Sequence, residues 1–348
     1  MTFPDFYGNS STAATLAHMI ERGRLAQTIL LSGPEGIGKA TLARRFAAAL
    51  LGDPHKIEQD DLSLPQNLDL IDQREKWPAD KRTDDPLLFS SHPDFVTFAP
   101  DGPLRQITIQ QMRLLRERAQ FKPLRGSHRV FLIDHLERAN EQAANSLLKV
   151  LEEPPEHLVI LATVENLYDI LPTIRSRAIV LQMSRLSDHD IQRFAASRNL
   201  PDAAARIALS EGSPGRAATL DLEDFRQRRA LMLAAFDCSA GLTPFSSWVQ
   251  ASESFGARKS EKLETYLKIG YGVLEDALAL LYGAPVVRNR DVEPRIAALA
   301  RAVSFPWIER AVRSLDELVV MVRRNIQKTA ALDAMIIKLR NRAEKIST

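Results

Sequence analysis

The segment from residue 28 to residue 51 constrains the fold of this chain more than any other. An apolar, β-prone run (TILL, residues 28–31) precedes a glycine-rich loop (GPEGIGK, residues 33–39), and a stretch rich in Ala, Leu and Arg follows. Strand, loop and helix form the context in which the pattern G-x-x-x-x-G-K cradles phosphate, because backbone amides turn toward the anion and the lysine reaches the β and γ phosphates. We therefore predict a nucleotide-binding loop whose binding residues are Gly33, Gly36, Gly38, Lys39 and Thr41.

The motif departs from its usual form directly after the lysine. A Ser or Thr hydroxyl normally binds Mg²⁺ at this position, and here the residue is Ala40. Thr41 follows, but a shift of one residue turns a side chain by about 100° around a helix, so Thr41 is a poor substitute. We expect weak binding of ATP or ADP, and the missing hydroxyl argues against Mg²⁺.

Further apolar, β-prone runs alternate with helical patterns up to residue 186. These runs are residues 95–98, 130–133, 158–163 and 178–183. The helical pattern after Thr108 fits a capping box, and another begins near Asn140. Strands separated by helices predict an α/β fold with a parallel sheet and helices on both faces. After Leu186 the strand patterns stop, and amphipathic helical patterns, such as those at 263–281 and 308–322, continue toward residue 348.

The segment from residue 53 to residue 90 shows no lasting period. Prolines at 54, 65, 78 and 86 are mixed with charged residues. We predict an irregular insertion here, because proline and charge clusters usually mark loops.

A carboxylate follows the strand predicted at 130–133. Asp134 stands where phosphate-loop folds place an acid associated with Mg²⁺. A hydrolytic site usually has Glu next, to polarise water, but here the residue is His135. We interpret His135 as a surface residue at a strand end and Glu137 as a solvated residue, so we expect negligible hydrolysis.

Residues 145–155 (NSLLKVLEEPP) resemble a signature of the bacterial clamp-loader ATPases of the AAA+ superfamily. The strand that ends at Thr163 matches the sensor-1 position of that family. The segment 174–178 (IRSRA) resembles its Ser-Arg-Cys motif with Ala178 in place of Cys. The resemblance covers residues 25–52 and 91–186, with a weaker match through about residue 225. It implies that Arg177 is a catalytic arginine finger that reaches ATP held by a neighbouring subunit, and that Asp134 and Thr163 belong to the nucleotide site. The alternative for Arg177 is an ion pair with an acidic residue of its own domain.

The chain also departs from this family. Many relatives have four zinc-binding cysteines after the phosphate-loop helix, and this chain has none there, so we expect no zinc. In the region resembling sensor 2 (GSPGR, residues 212–216), Gly215 stands where active motors have arginine, and Arg216 is one position later. These departures further argue against an active hydrolytic site.

The resemblance implies an organisation into three parts. They are an AAA+ core over residues 1–185, a small helical lid over 186–226 and an all-helical collar over 227–348. It implies a subunit that assembles with clamp-loader motor (tau/gamma) subunits and a delta subunit, and that helps to load a sliding clamp onto primed DNA. Little or no ATPase activity is expected of the chain alone.

Two other functions remain open. One is a self-sufficient AAA+ ATPase motor of a DNA replication or repair complex, favoured by Lys39 and Asp134 and opposed by Ala40, His135 and Gly215. The other is a phosphate-loop kinase of small molecules. A kinase would not explain the helical C-terminal third.

Composition limits the partners. With a net charge of +2, any DNA contact must come from local charge, so it is expected to be non-specific. The local candidates form a basic cluster, interpreted as a solvated helix face or as a DNA-tracking surface: Arg113, Arg116, Arg118, Lys122, Arg125 and Arg129. The single cysteine, Cys238, excludes an internal disulfide framework. No run approaches 18 apolar residues and no signal peptide is evident, so we expect a cytoplasmic protein without membrane contact.

Overall fold

The structure is a computed structural model that describes residue 3 and residues 5–257, 263–285, 288–322 and 327–343. The chain forms two compact units. The first unit comprises residues 1–203 and 212–218, and the second comprises residues 204–211 and 219–348. The finer division into core, lid and collar stays a prediction.

A five-stranded parallel sheet organises the first unit. Its strands are β1 (Thr28–Ser32), β2 (Phe95–Phe98), β3 (Arg129–Ile133), β4 (Leu158–Val164) and β5 (Ile179–Gln182). They pair in the order β2-β3-β4-β1-β5. In this register Leu31 of β1 lies opposite Thr163 of β4, so the phosphate loop leaves the sheet beside the end of β4. The predicted α/β class and all five predicted strands are confirmed.

Helices cover the sheet. In chain order, those up to residue 200 are α1 (Ser10–Glu21), α2 (Lys39–Leu51), α3 (Pro54–Glu58), α4 (Pro65–Glu75), α5 (Ala79–Asp84), α6 (Ile109–Ala119), α7 (Glu141–Glu152), α8 (Pro172–Arg175) and α9 (Asp188–Ser197). Alternate residues of a strand point to opposite faces. Leu30 accordingly packs into a core with residues of α6 and α7, while Ile29 and Leu31 pack into another with residues of α1 and α2. Both faces of the sheet are therefore covered, as predicted.

The prediction of an irregular insertion at residues 53–90 is wrong. The segment contains α3, α4 and α5. Pro54 and Pro65 occupy first helical positions, where proline is well tolerated because the missing N–H has no partner within the helix. Ile71 packs in a small apolar cluster with Leu87 and Phe89, and the buried Arg74 forms an ion pair with Asp101 (Nη2 to Oδ2, 2.8 Å). Pro54 and Pro65 therefore begin helices rather than interrupt them.

Two short helices follow α9. They are α10 (Ala203–Ser210), whose residues from 204 onward belong to the second unit, and α11 (Pro214–Thr219), whose residues up to 218 belong to the first.

The described residues of the second unit form helices joined by turns and short loops. Its longer helices are α12 (Leu222–Ser239), α13 (Phe245–Ala257), α14 (Leu263–Leu281), α15 (Glu293–Ala302), α16 (Phe305–Val322) and α17 (Lys328–Ala343). Their core is rich in large side chains, including the fully buried Trp248 and Tyr266, and it also encloses Cys238. The predicted helix at 263–281 is confirmed. Within the described ranges, no helix combines the length and apolar character needed to span a bilayer.

Candidate phosphate-loop site and arginine turn

A cavity of about 940 Å³ opens over the phosphate loop. Six of the predicted nucleotide-site residues line it: Gly36, Gly38, Lys39, Thr41, Asp134 and Thr163. Gly33 instead lines a neighbouring cavity of about 300 Å³ beside Tyr168 and Arg175. The fold thus brings together residues from the loop, from α2 and from the ends of β3 and β4.

The loop requires glycine at two positions. Gly36 has φ 73°, and a Cβ there would lie only 2.4 Å from the Ser213 hydroxyl oxygen. Gly38 has φ 96° and caps α2. The segment around Gly215 binds the loop directly, since the Gly215 N–H donates to the Gly36 carbonyl (2.8 Å) and the Ser213 hydroxyl donates to the Glu35 carbonyl (3.2 Å).

Lys39 is turned toward its own loop. Its Nζ donates to the carbonyl oxygens of Gly33 (2.6 Å) and Pro34 (2.8 Å). Burial lowers the pKa of Lys39, and the nearby carboxylates, first of all Glu165 and Asp134, oppose that effect. A bound phosphate would therefore have to replace carbonyl contacts that the ammonium group already makes.

Thr163 joins the ends of β3 and β4. Its buried hydroxyl donates to Asp134 Oδ1 (2.5 Å) and accepts from the His135 backbone N–H (2.9 Å). His135 has φ 56°, a left-handed conformation that is uncommon for a residue other than glycine. One oxygen of Asp134 is thus hydrogen-bonded to the neighbouring strand β4, and Asp134 lines the cavity.

The interpretation of His135 and Glu137 as surface and solvated residues is wrong. The side chains are 27% and 11% exposed, and His135 Nδ1 lies 3.0 Å from Glu137 Oε1. The chain turns inward here because Leu136, within a single 3₁₀ turn (Leu136–Arg138), is buried in the core. The hydrogen bond with Glu137 raises the pKa of His135, although burial opposes the shift. Burial alone would raise the pKa of Glu137, but its contacts, chiefly the hydrogen bond with His135, lower it.

Glu165 joins this pair from the end of β4. Its Oε1 lies 3.9 Å from His135 Nδ1. Among the described residues, this is the one group of three or more His, Cys, Asp or Glu side chains whose ligand atoms lie within 4.8 Å of one another. Ion pairing between the imidazole and the two carboxylates accounts for the arrangement. Sequence spacing did not reveal it because the group combines two segments about 30 residues apart.

Part of the cavity lining is aromatic, which sequence reasoning missed. Phe6, Tyr7 and Phe194 line it, and the rings of Tyr7 and Phe194 meet edge to face with centroids 5.9 Å apart. Arg138 and Arg198 also line the cavity. Residues 7 and 194 lie almost 190 positions apart, so no local pattern could have paired them.

Arg177 lies apart from the phosphate loop, in the turn between α8 and β5. Its Nη1 donates to the Thr173 carbonyl (3.0 Å) and its Nη2 donates to Glu152 Oε1 (3.1 Å). The side chains of Arg177 and Glu152 are 35% and 52% exposed. The turn is anchored by Ile174, which is buried in the core. The fold therefore presents Arg177 on the surface and gives it an acidic partner from its own domain.

The basic cluster divides into exposed and buried members. Arg113, Arg116, Lys122 and Arg125 are exposed. Arg129 is buried, and its guanidinium donates to the carbonyls of Arg118 (3.0 Å), Phe121 (3.3 Å) and Pro93 (3.4 Å). Its interpretation as part of a solvated face is therefore wrong, because Arg129 lies on β3 and fastens the preceding loop.

Comparison with known proteins places this arrangement among replication proteins. Residues 8–187 match a family described as DNA polymerase III, delta subunit. A DNA polymerase III subunit delta' of Pseudomonas aeruginosa is 32% identical over 214 residues, which cover 60% of this chain and 60% of that protein. A DNA polymerase III subunit gamma/tau of Mycobacterium tuberculosis is 28% identical over 221 residues, which cover 61% of this chain and 32% of that protein.

A solved structure of a DNA polymerase III gamma subunit-related protein from Thermotoga maritima covers 95% of this chain and 99% of its own, with 18% identity and a TM-score of 0.46. The chain spans less than two thirds of the length of the two curated relatives.

Proposed function

This chain belongs to the DNA polymerase III, delta subunit family, and we propose that within it the chain acts as a delta-prime-type clamp-loader subunit that donates Arg177 to a neighbour. In this role it assembles with motor (tau/gamma) subunits and a delta subunit in the cytoplasm and helps to load a sliding clamp onto primed DNA. The observation that carries the proposal is the contrast between an exposed, anchored Arg177 and a phosphate-loop site that lacks hydrolytic parts.

The phosphate-loop site supports binding better than hydrolysis. Ala40 supplies no hydroxyl, and His135 stands where a hydrolytic site would have Glu. The cavity is lined by the cationic Lys39 and by the aromatic Tyr7 and Phe194, side chains that suit the phosphates and the base of a nucleotide. Because Lys39 already bonds two carbonyls, we propose that ATP or ADP binds weakly. If Mg²⁺ accompanied it, Asp134 would be the carboxylate available to hold the ion.

The helical second unit supports a role in assembly. Val319, Val320 and Met321 of α16 expose apolar side chains, of which Val320 is 60% exposed. Exposed apolar side chains near one end of a helix suit burial against another subunit. We propose that this surface contacts the other subunits, and that the exposed members of the basic cluster give the complex weak, non-specific contact with DNA.

The test is Arg177→Ala in a complex whose other subunits are wild type. A guanidinium aimed at the γ-phosphate offsets charge in the transition state, and such fingers contribute about 10³–10⁵ in rate. We expect the neighbouring ATP site to lose most of its activity. The total clamp-stimulated ATPase rate should fall by the fraction that this site contributes. Arg177→Lys should not fully restore it, because an ammonium lacks the planar fork that binds two oxygens.

Arg22→Ala provides the matched control, since Arg22 is also an exposed arginine of the first unit. Both variants should assemble normally. Unchanged ATPase and clamp loading in the Arg177→Ala complex would contradict the proposal. ATP turnover by the purified chain alone, abolished by Lys39→Ala, would instead favour the self-sufficient motor.

A further inference from the structure

We infer that Glu152 sets how readily Arg177 reaches a neighbour's phosphate, because its carboxylate occupies the end of the guanidinium that the phosphate would bind. The inference rests on the proposed function of Arg177 and concerns the regulation of that same site. Glu152 touches neither nucleotide nor reacting atoms in this scheme, so it is a positioning residue.

The contacts of Arg177 are the basis for this competition. An arginine grips carboxylates and phosphates through a planar fork of parallel N–H donors. In this chain both η nitrogens of Arg177 are engaged, with Nη1 on the Thr173 carbonyl and Nη2 on the Glu152 carboxylate. A phosphate approaching the outer end of the fork would meet the Glu152 carboxylate. Because both groups are anionic, they repel each other, and one must leave for the other to bind closely.

The two elements that hold this pair are fixed in the core. Glu152 is the last residue of α7, whose Leu147 and Leu151 are buried. Arg177 follows the turn anchored by Ile174, which packs in the same core. An exchange of partners therefore requires rotation of side chains but no movement of the sheet or helices.

Because Glu152 lies at the C-terminus of α7, a nearby cation stabilises its carboxylate. The partial negative charge at a helix C-terminus disfavours an anionic side chain there. Arg177 offsets this charge before a neighbour binds. When Arg177 turns to a phosphate, Glu152 loses that compensation, and this opposes the transfer.

The exposure of the pair limits the size of the effect. With both side chains more than a third exposed, an ion pair of this kind changes an equilibrium by up to about fivefold. Glu152 thus holds Arg177 in place before assembly, and a triphosphate still displaces Glu152 from the guanidinium. Removal of the Glu152 charge should make the arginine more available.

The experiment compares Glu152→Gln with Glu153→Gln in the assembled complex. Gln keeps an acceptor oxygen and removes the charge, and Glu153 is the adjacent exposed carboxylate at the same helix end. We expect the Glu152→Gln complex to reach half-maximal ATPase at a two- to fivefold lower ATP concentration. Glu153→Gln should leave the value unchanged. In the Arg177→Ala background, Glu152→Gln should have no further effect.

A spectroscopic measurement tests the pair without relying on activity. In the isolated chain, the NMR signal of the Arg177 side-chain Nε–H should shift in Glu152→Gln and stay in place in Glu153→Gln. An unmoved Arg177 signal in Glu152→Gln would overturn the inference. So would an unchanged or raised half-saturating ATP concentration in the Glu152→Gln complex, provided that Arg177→Ala still impairs the complex. If Arg177→Ala has no effect, the proposed function fails and the inference fails with it.

Discussion

The phosphate-loop cavity and the Arg177 turn lie in the same unit, but their charged side chains differ in their partners and in their exposure to solvent. In the cavity, these side chains have partners within the protein: Lys39 donates to loop carbonyls, Asp134 accepts from the Thr163 hydroxyl, and His135 bonds Glu137. At the turn, Arg177 stays partly exposed and makes one ion pair in contact with water.

This difference means that the cavity contacts contribute mainly to stability, whereas the Arg177 turn is available for function. Buried polar groups are costly to leave without partners, whereas exposed ion pairs contribute little to the free energy of unfolding. The polar residues of the cavity therefore contribute to the stability of the fold through their contacts with other residues of the chain. The turn keeps a cation available to another molecule. Substitutions in the two regions should have correspondingly different consequences for the isolated chain.

The largest effect on stability is expected from Thr163→Val. The substitution removes one hydroxyl that serves both the Asp134 carboxylate and the His135 N–H. Leaving buried polar groups without a partner costs about 1–3 kcal/mol each, so we expect a loss of about 2–4 kcal/mol in the free energy of unfolding. Urea denaturation of the isolated chain measures it. Thr173→Val, at an exposed position of the arginine turn, is the control and should change stability little. A loss equal to that of Thr163→Val would remove the contrast between the two regions.

A smaller effect is expected from pH through His135. Its pKa is raised above the ordinary value of 6.5, first by the hydrogen bond with Glu137. The protonated imidazole therefore stabilises the fold fully below pH 6.5, and this contribution is lost as pH rises through the raised pKa. In the wild type, the free energy of unfolding should therefore decrease as pH rises between pH 6 and pH 9. We expect His135→Gln to lack this decrease.

Burial lowers the pKa of His92 and His128, but their contributions are common to wild type and variant and cancel in the difference. His189→Gln is the control, because His189 is 77% exposed. If the wild type and the His135→Gln variant lose stability equally as pH rises, the ion pair in the cavity does not contribute.

The smallest effect is expected from Arg177→Ala in the isolated chain. An exposed ion pair contributes about 0–1 kcal/mol, so the free energy of unfolding should change by about 0.5 kcal/mol or less. Arg129→Ala is the matched comparison, because this arginine is buried and donates to three carbonyls. It should cost about 2 kcal/mol or more. A large loss from Arg177→Ala would mean that the arginine is structural, and the contrast with the cavity would disappear.

Local patterns predicted much of the fold correctly. The strand at 28–31, the glycine loop and the helix from Lys39 to Leu51 were evident because apolar runs, glycines and helix formers follow one another without interruption. The helix after Thr108 was predicted for the same reason, since its capping box is a contact between residues three positions apart.

Local patterns failed where one residue type has two structural uses. The prolines of 53–90 indicated a loop, yet Pro54 and Pro65 begin helices. Proline disrupts a helix interior but suits its first turn, and the distinction depends on whether the following residues find a core. Here Ile57 and Ile71 find one, and that packing could not be read from the segment itself.

The sequence alone determined the phosphate loop, the five strands in chain order, and the absence of a hydroxyl at position 40, because each depends on neighbouring residues. Only the tertiary structure decided which groups meet at the cavity: Thr163 with Asp134, Glu165 with His135, and Tyr7 with Phe194. It also decided that Arg177 is exposed beside Glu152 and that Arg129 is buried. These pairings join segments separated by 25 residues or more, or depend on which side of a strand faces the core. The parallel sheet sets both, because it brings the carboxyl ends of distant strands to one edge.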